Sequence, residues 1–157
     1  MTRLQCGHNK ISKLDVSKNT ALTELYCPNN ELTELDLGNN TALGQLTVTN
    51  NQLKELDISK DTALTYLACA NNQLKELNVS KNTALTELSC SYNQLTELNV
   101  NNNTALTRID CGSNQLSELD VSKNTALTYL SCGSNKGNKL TKLDVSNNTE
   151  LTYLEFW

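Results

Sequence analysis

The feature that most constrains this chain is a strict repeat of 21 residues. Ala21, Ala42, Ala63, Ala84, Ala105 and Ala126 mark the step, and the seventh copy arrives three residues late, with Glu150 in the Ala column. Self-similarity at such a period implies a stack of like units, because one short unit cannot bury its own apolar face. A unit such as Leu22 to Ala42 divides into halves, Leu22–Glu31 and Leu32–Ala42, each reading Leu-x-x-Leu-x-(apolar)-x-x-Asn. In both halves the fourth and sixth positions are apolar and the third and fifth polar. That period of two marks an extended segment with one buried face. Asn and Gly gather where each half ends, as turns require. Halves this short leave no room for a useful helix. The expectation is a β-rich solenoid of about seven coils, with two short parallel strands per coil stacked at about 4.8 Å.

Leu, Asn and Thr supply 70 of the 157 residues, and the repeat assigns them to core, corner and turn columns. Residues 1–157 read as a single solenoid domain, and as a stretch of a longer array, since both ends fall on the repeat lattice. No apolar run approaches the ~20 residues of a membrane span, and no basic, apolar leader opens the sequence. A net charge of −4 argues against nucleic acid as partner, which would call for a basic face.

The segment Leu85-x-x-Leu88-x-Cys90-x-x-Asn93-x-Leu95 resembles the signature of leucine-rich repeats. The following Leu-x-x-Leu-Asp-Val/Leu half resembles the short bacterial subclass of about 21 residues called IRREKO-type repeats. The resemblance covers essentially the whole chain. It implies a bacterial binding scaffold, often secreted or attached to the cell surface.

Six cysteines, Cys6, Cys27, Cys69, Cys90, Cys111 and Cys132, occupy one column, with Val48 and Phe156 in the remaining places. Exchange with plain hydrophobes marks an inward column of small apolar side chains, a buried thiol ladder rather than a set of disulfides. No Cys-x-x-Cys occurs and His8 is the single histidine, so no zinc site is expected. Asn9, Asn30, Asn51, Asn72, Asn93 and Asn114 form a second column, continued by Asn135 or Asn138 depending on where the three extra residues lie. Asn19, Asn40, Asn82, Asn103, Asn124 and Asn148 form the matching corner, with Asp61 as the exception. Stacked amides of this kind can satisfy turn carbonyls of adjacent coils. That role also explains the Asn-x-Thr triplets at Asn102 and Asn147 more simply than glycosylation does.

Acidic residues line the second half of the unit: Glu34, Glu55, Glu76, Glu97 and Glu118, then Asp15, Asp36, Asp57, Asp120 and Asp144. Paired carboxylates can serve glycoside hydrolysis or bind cations. A flat exposed row offers neither enclosure nor a raised pKa, so a solvated face is expected. Thr columns through Thr20 and Thr23 resemble ice-binding surfaces, but their Thr-Ala-Leu-Thr spacing turns a corner, and local hydroxyl bonding accounts for them.

Partner choice should reside where the copies differ and face outward. The second half is monotonous. In the first half, the third position reads Arg3, Glu24, Gln45, Tyr66, Glu87, Arg108, Tyr129, Tyr153, and the fifth Gln5, Tyr26, Thr47, Ala68, Ser89, Asp110, Ser131, Glu155. Tyr and Arg most often carry interface energy, which selects Tyr26, Tyr66, Tyr92, Arg108, Tyr129 and Tyr153 as the candidate contact residues. No catalytic motif, phosphate loop or cofactor signature is present. The expected function is a non-enzymatic scaffold for a protein or glycan partner, without cofactor or metal. The rival readings are a structural spacer or rod that stacks end to end and, less favoured, an ice-binding solenoid.

Overall fold

A computed structural model describes residues 1–133 and 137–156. Eight three-residue strands follow the chain in order: β1 (Arg3–Gln5), β2 (Glu24–Tyr26), β3 (Gln45–Thr47), β4 (Tyr66–Ala68), β5 (Glu87–Ser89), β6 (Arg108–Asp110), β7 (Tyr129–Ser131) and β8 (Tyr153–Glu155). They form one parallel sheet in sequence order, each pairing in register with the next, as in Leu25 opposite Leu46 and Leu46 opposite Leu67. Each strand touches only its sequence neighbours, the quasi-one-dimensional organisation of a solenoid. Coil n is counted here from the leucine, or Met1, two residues before βn. Seven steps between eight strands give roughly 34 Å of sheet at the usual spacing.

The solenoid, its period and its parallel sheet are as expected; the second strand of each coil is not. Among the described residues the Leu32–Leu37 segment and its copies form no strand. One backbone bond joins successive coils at the start of this flank, as in Gln52 N–H to Leu32 O at 2.9 Å and Gln73 N–H to Leu53 O at 2.8 Å. Beyond it, side chains replace the ladder. Leu53 N–H donates to Asn72 Oδ1 at 3.0 Å, and Ser59 N–H donates back to Asp57 Oδ1 at 2.9 Å. Such local Asx bonds compete with sheet pairing. Alternating polarity reports which side chains are buried, and an extended backbone satisfies it without any ladder.

The core is a set of leucine columns, with Val16, Leu37, Ile58, Val79, Val100 and Val121 closing the second half and the cysteines closing the first. Cys27, Cys69, Cys90, Cys111 and Cys132 are buried and Cys6 is half-buried. Burial pushes the Cys27 and Cys69 thiols up to about 12 and Cys132 to about 11, and holds Cys90 and Cys111 well above the ordinary value. Thiolates are therefore suppressed along the column, and packing is its role.

The first Asn column knits this core to the turns. Asn93 Nδ2 donates to Cys69 O, Cys90 O and Ser91 O, and its Oδ1 accepts from Leu74 N–H. Asn30, Asn51, Asn72 and Asn114 repeat the pattern. In the last copy Asn138 takes the place, donating to Cys111 O and Cys132 O. The three extra residues therefore precede Asn138, and Asn135 lies outside the described residues. The acidic Asp column also proves structural. Asp15, Asp36, Asp57, Asp120 and Asp144 each accept the N–H two residues on, and Asn78 and Asn99 do the same. Hydroxyl and N–H bonds from Ser17 and Ser59 hold Asp15 and Asp57 below the usual carboxylate range.

Candidate partner-binding face

Two surfaces of the sheet follow from the pleat: the central residue of β2 to β7 is buried in the core, Leu4 of β1 is half-buried and Leu154 of β8 exposed, and the flanking two of each strand point outward. In-register pairing then turns repeat columns into rows crossing the coils. The first outward row reads Arg3, Glu24, Gln45, Tyr66, Glu87, Arg108, Tyr129, Tyr153. Arg3 Nε lies 3.0 Å from Glu24 Oε2 in an exposed ion pair. At the other end, the Arg108 guanidinium carbon sits 3.5 Å from the Tyr129 ring centroid, and the Tyr129 and Tyr153 rings stack at 4.4 Å with an interplanar angle of 3°. Side chains one coil apart on parallel strands are at stacking distance, which makes this continuous column possible. The cation–π contact contributes about 0.5–1 kcal/mol and the ring pair about 0.5–1.5 kcal/mol, so the three side chains hold one another in place.

Three of the six candidate residues thus form one group, and the others do not join it. Tyr66 shares the row but is separated from Arg108 by Glu87. Tyr26 lies on the second outward row in β2, exposed, its ring 3.2 Å from where a Cβ on Gly7 would stand. Tyr92 projects from the turn beyond β5 and is 61% exposed. Its φ of 54° places it in the left-handed region, where His8, Asn29, Asn50, Asn71 and Ser113 occupy the matching turns. Asn and His tolerate that conformation, and a residue as bulky as Tyr is unfavourable there.

The second outward row contributes residues that the sequence reading did not single out. Ser131 Oγ donates to Glu155 Oε2 at 2.9 Å and Tyr153 Oη to the same oxygen at 3.4 Å. Burial raises Asp110, against the pull of the Gly112 N–H and the Arg108 charge. Asp110 and Glu155 are the only acids in their column, which was the available signal. Behind them Gly112 packs so closely that a Cβ would stand 2.5 Å from Gly133 O. Thr side chains flank the sheet on its entry side. Thr23, Thr65, Thr86, Thr107, Thr128 and Thr152 each donate Oγ1 to the carbonyl of the coil before, at 2.9–3.1 Å.

Comparison with solved structures places this architecture. The chain is similar to the functional domain of InlJ from Listeria monocytogenes, a structure that includes a cysteine ladder. Identity is 41% over 98% of this chain and 38% of that one, with a TM-score of 0.76. The architecture is that of the bacterial leucine-rich repeat proteins. The array is also similar to the internalin InlF of the same organism, at 27% identity over 99% of this chain and 47% of that one, with a TM-score of 0.94. A plant receptor kinase ectodomain, GASSHO1/SCHENGEN3 from Arabidopsis thaliana, shares the fold alone. It is 22% identical over 90% of this chain and 19% of that one, with a TM-score of 0.81, and was solved in complex with Casparian strip integrity factor 2. The repeat array spans less than half the length of either internalin structure. No protein-family model and no curated protein matches the sequence.

Proposed function

We propose that this array is a non-catalytic scaffold that binds a protein partner through the outer face of its sheet, over coils five to eight. The observation that carries this reading is the Arg108–Tyr129–Tyr153 column, a pre-formed cationic and aromatic group on the one face where the copies differ. Aromatic and Arg anchors held rigid in the free protein lose little entropy on binding. Asp110 and Glu155 beside them supply acceptors for a partner's donors. The plant receptor ectodomain, an array of the same fold solved in complex with a peptide ligand, is a precedent for the mode of use.

Selection of binders from a peptide display library, with the wild-type array as bait, tests the reading. The Tyr129→Ala/Tyr153→Ala and Arg108→Ala variants should keep the wild-type unfolding midpoint to within a few degrees and lose most of the captured binders. Binders that hold both variants as tightly as wild type would move the site off this face. Glycan ligands are the other outcome to score: retention on a glycan array through the same residues would replace the protein partner with a saccharide, which aromatic faces also accept.

A further inference from the structure

The corner column of the second half is a ladder of buried amides, and one member breaks it. Asn40 Nδ2 donates to Val16 O at 3.1 Å and Asn19 O at 2.9 Å, tying its turn to the coil before. Asn82 donates to Ile58 O and Asp61 O, both at 2.9 Å, and Asn103, Asn124 and Asn148 do likewise one coil further each time. In the third coil the place belongs to Asp61, which is 1% exposed.

The backbone at Asp61 keeps the common turn: its N–H donates to Ile58 O at 3.1 Å and its carbonyl accepts from Leu64 N–H at 3.0 Å. Only the side chain differs. A carboxylate has no hydrogen to give, so Leu37 O and Asn40 O, the counterparts of the carbonyls that ladder amides serve elsewhere, keep only the turn N–H groups of Asn40 and Leu43 and receive no side-chain donor. Asp61 Oδ1 is buried without a partner, as is Oδ1 of Asn40, Asn82, Asn103, Asn124 and Asn148, but at Asp61 alone the unpartnered oxygen belongs to an ionisable group. No cation offsets it. Lys60 Nζ is directed to Gly38 O at 3.4 Å, and among the described residues the one ion pair is Arg3–Glu24. Asp57 of the same coil and Asp36 of the coil before add negative charge along this groove, which Glu55 also lines. Lys81, one coil on, is exposed.

We propose that Asp61 is a proton-binding site that controls the joint between the second and third coils. Protonated, it gives one O–H to the carbonyl pair in place of the missing amide, and the joint closes. Ionised, it sets a buried negative charge against carbonyl oxygens, and the joint is the weakest in the stack. In a solenoid whose coils touch only their neighbours, such a weakness stays local. The physical direction agrees: burial, with Asp57 adding to it, pushes the carboxyl up to about 6 from an ordinary 3.8. For an acid raised in the folded state, the associated stability is complete below 3.8 and is lost as pH rises through 6.

Urea unfolding of wild type and Asp61→Asn at pH 5 and pH 8 tests this. Asp61→Asn restores the ladder residue and cannot titrate, so referencing to it cancels every other ionising group. The unfolding equilibrium constant of wild type, relative to Asp61→Asn, should be about tenfold smaller at pH 5 than at pH 8. A carbon-13 titration of the Asp61 carboxyl should have its midpoint near 6. Parallel pH dependences in the two proteins, or a midpoint at the ordinary aspartate value, would overturn the proposal.

Discussion

Replacing Asn93 by Ala removes four hydrogen bonds at once, and the structure shows which of them matter. Cys69 O still accepts from Asn72 Nδ2, Cys90 O from Asn114 Nδ2 and Ser91 O from Asn71 N–H. These three carbonyls each lose one partner of two. Leu74 N–H is different: its bond to Asn93 Oδ1 at 3.0 Å is the only one it has, and Leu74 is fully buried. An orphaned buried N–H costs about 1–3 kcal/mol, and the two shorter carbonyl bonds about 1 kcal/mol each. The sum is about 3–5 kcal/mol, a large share of the 5–15 kcal/mol typical of a folded domain. Urea unfolding followed by far-ultraviolet circular dichroism reads it directly, with Thr96→Ala on the exposed flank as a control expected within about 0.5 kcal/mol. A loss below about 1 kcal/mol at an unchanged urea dependence would refute the assignment of coil cohesion to the amide ladder.

Gly112→Ala should destabilise more than an exposed substitution ordinarily does, because its new Cβ meets the Gly133 carbonyl at 2.5 Å and backbone must shift; a midpoint equal to wild type would contradict the close approach. Thiol labelling of the native protein at pH 8 should reach only half-buried Cys6 quickly, with Cys69, Cys90 and Cys111 reacting on unfolding. Rapid labelling of all six in the native state would place the ladder outside the core. On the acid side, Asp15, Asp57, Asp120 and Asp144 are all lowered by hydrogen bonds from the serine two residues on. Stability from these groups is present above 3.8 and lost as pH falls through their lower folded values. Changing all four to Asn, which fills the same turns at Asn78 and Asn99, should flatten the acid limb of a stability–pH curve, and an unaltered limb would contradict the turn role.

The solenoid was legible in the sequence because its cause is a column. The 21-residue step, the Leu spacing and the exchange of Cys27 for Val48 each report burial directly. The Asn columns announced corners for the same reason. A backbone ladder is another matter. Leu32, Leu35 and Leu37 alternate as a strand would, yet the Asp36 carboxylate and the Asn51 amide take N–H groups of that segment and no sheet forms. Side-chain polarity cannot reveal which acceptor an N–H finds. At the candidate site, outward direction and variability picked out Arg108, Tyr129 and Tyr153, since in-register coils bring every third position into one row. Stacking depends on which residue follows which in that row, and Glu87 between Tyr66 and Arg108 divides it. Tyr26 falls in the other outward row of its strand and Tyr92 in the turn beyond β5, so neither can stack on that column although residue type made them look equivalent. Asp61 stood in plain view as the odd member of its column, and its meaning needed the donors that its neighbours supply.

Amide hydrogen exchange resolved by residue tests the central claim, that one backbone ladder and the side-chain amides hold the coils in register and fix a single outward face. The Cys69, Cys90 and Cys111 amides, which donate to the next coil at 2.8 Å, should exchange only through opening of the stack. Those of Glu55, Glu76 and Glu97 on the opposite flank should exchange orders of magnitude faster. Comparable protection on both flanks would mean that a second strand forms in each coil and would contradict it.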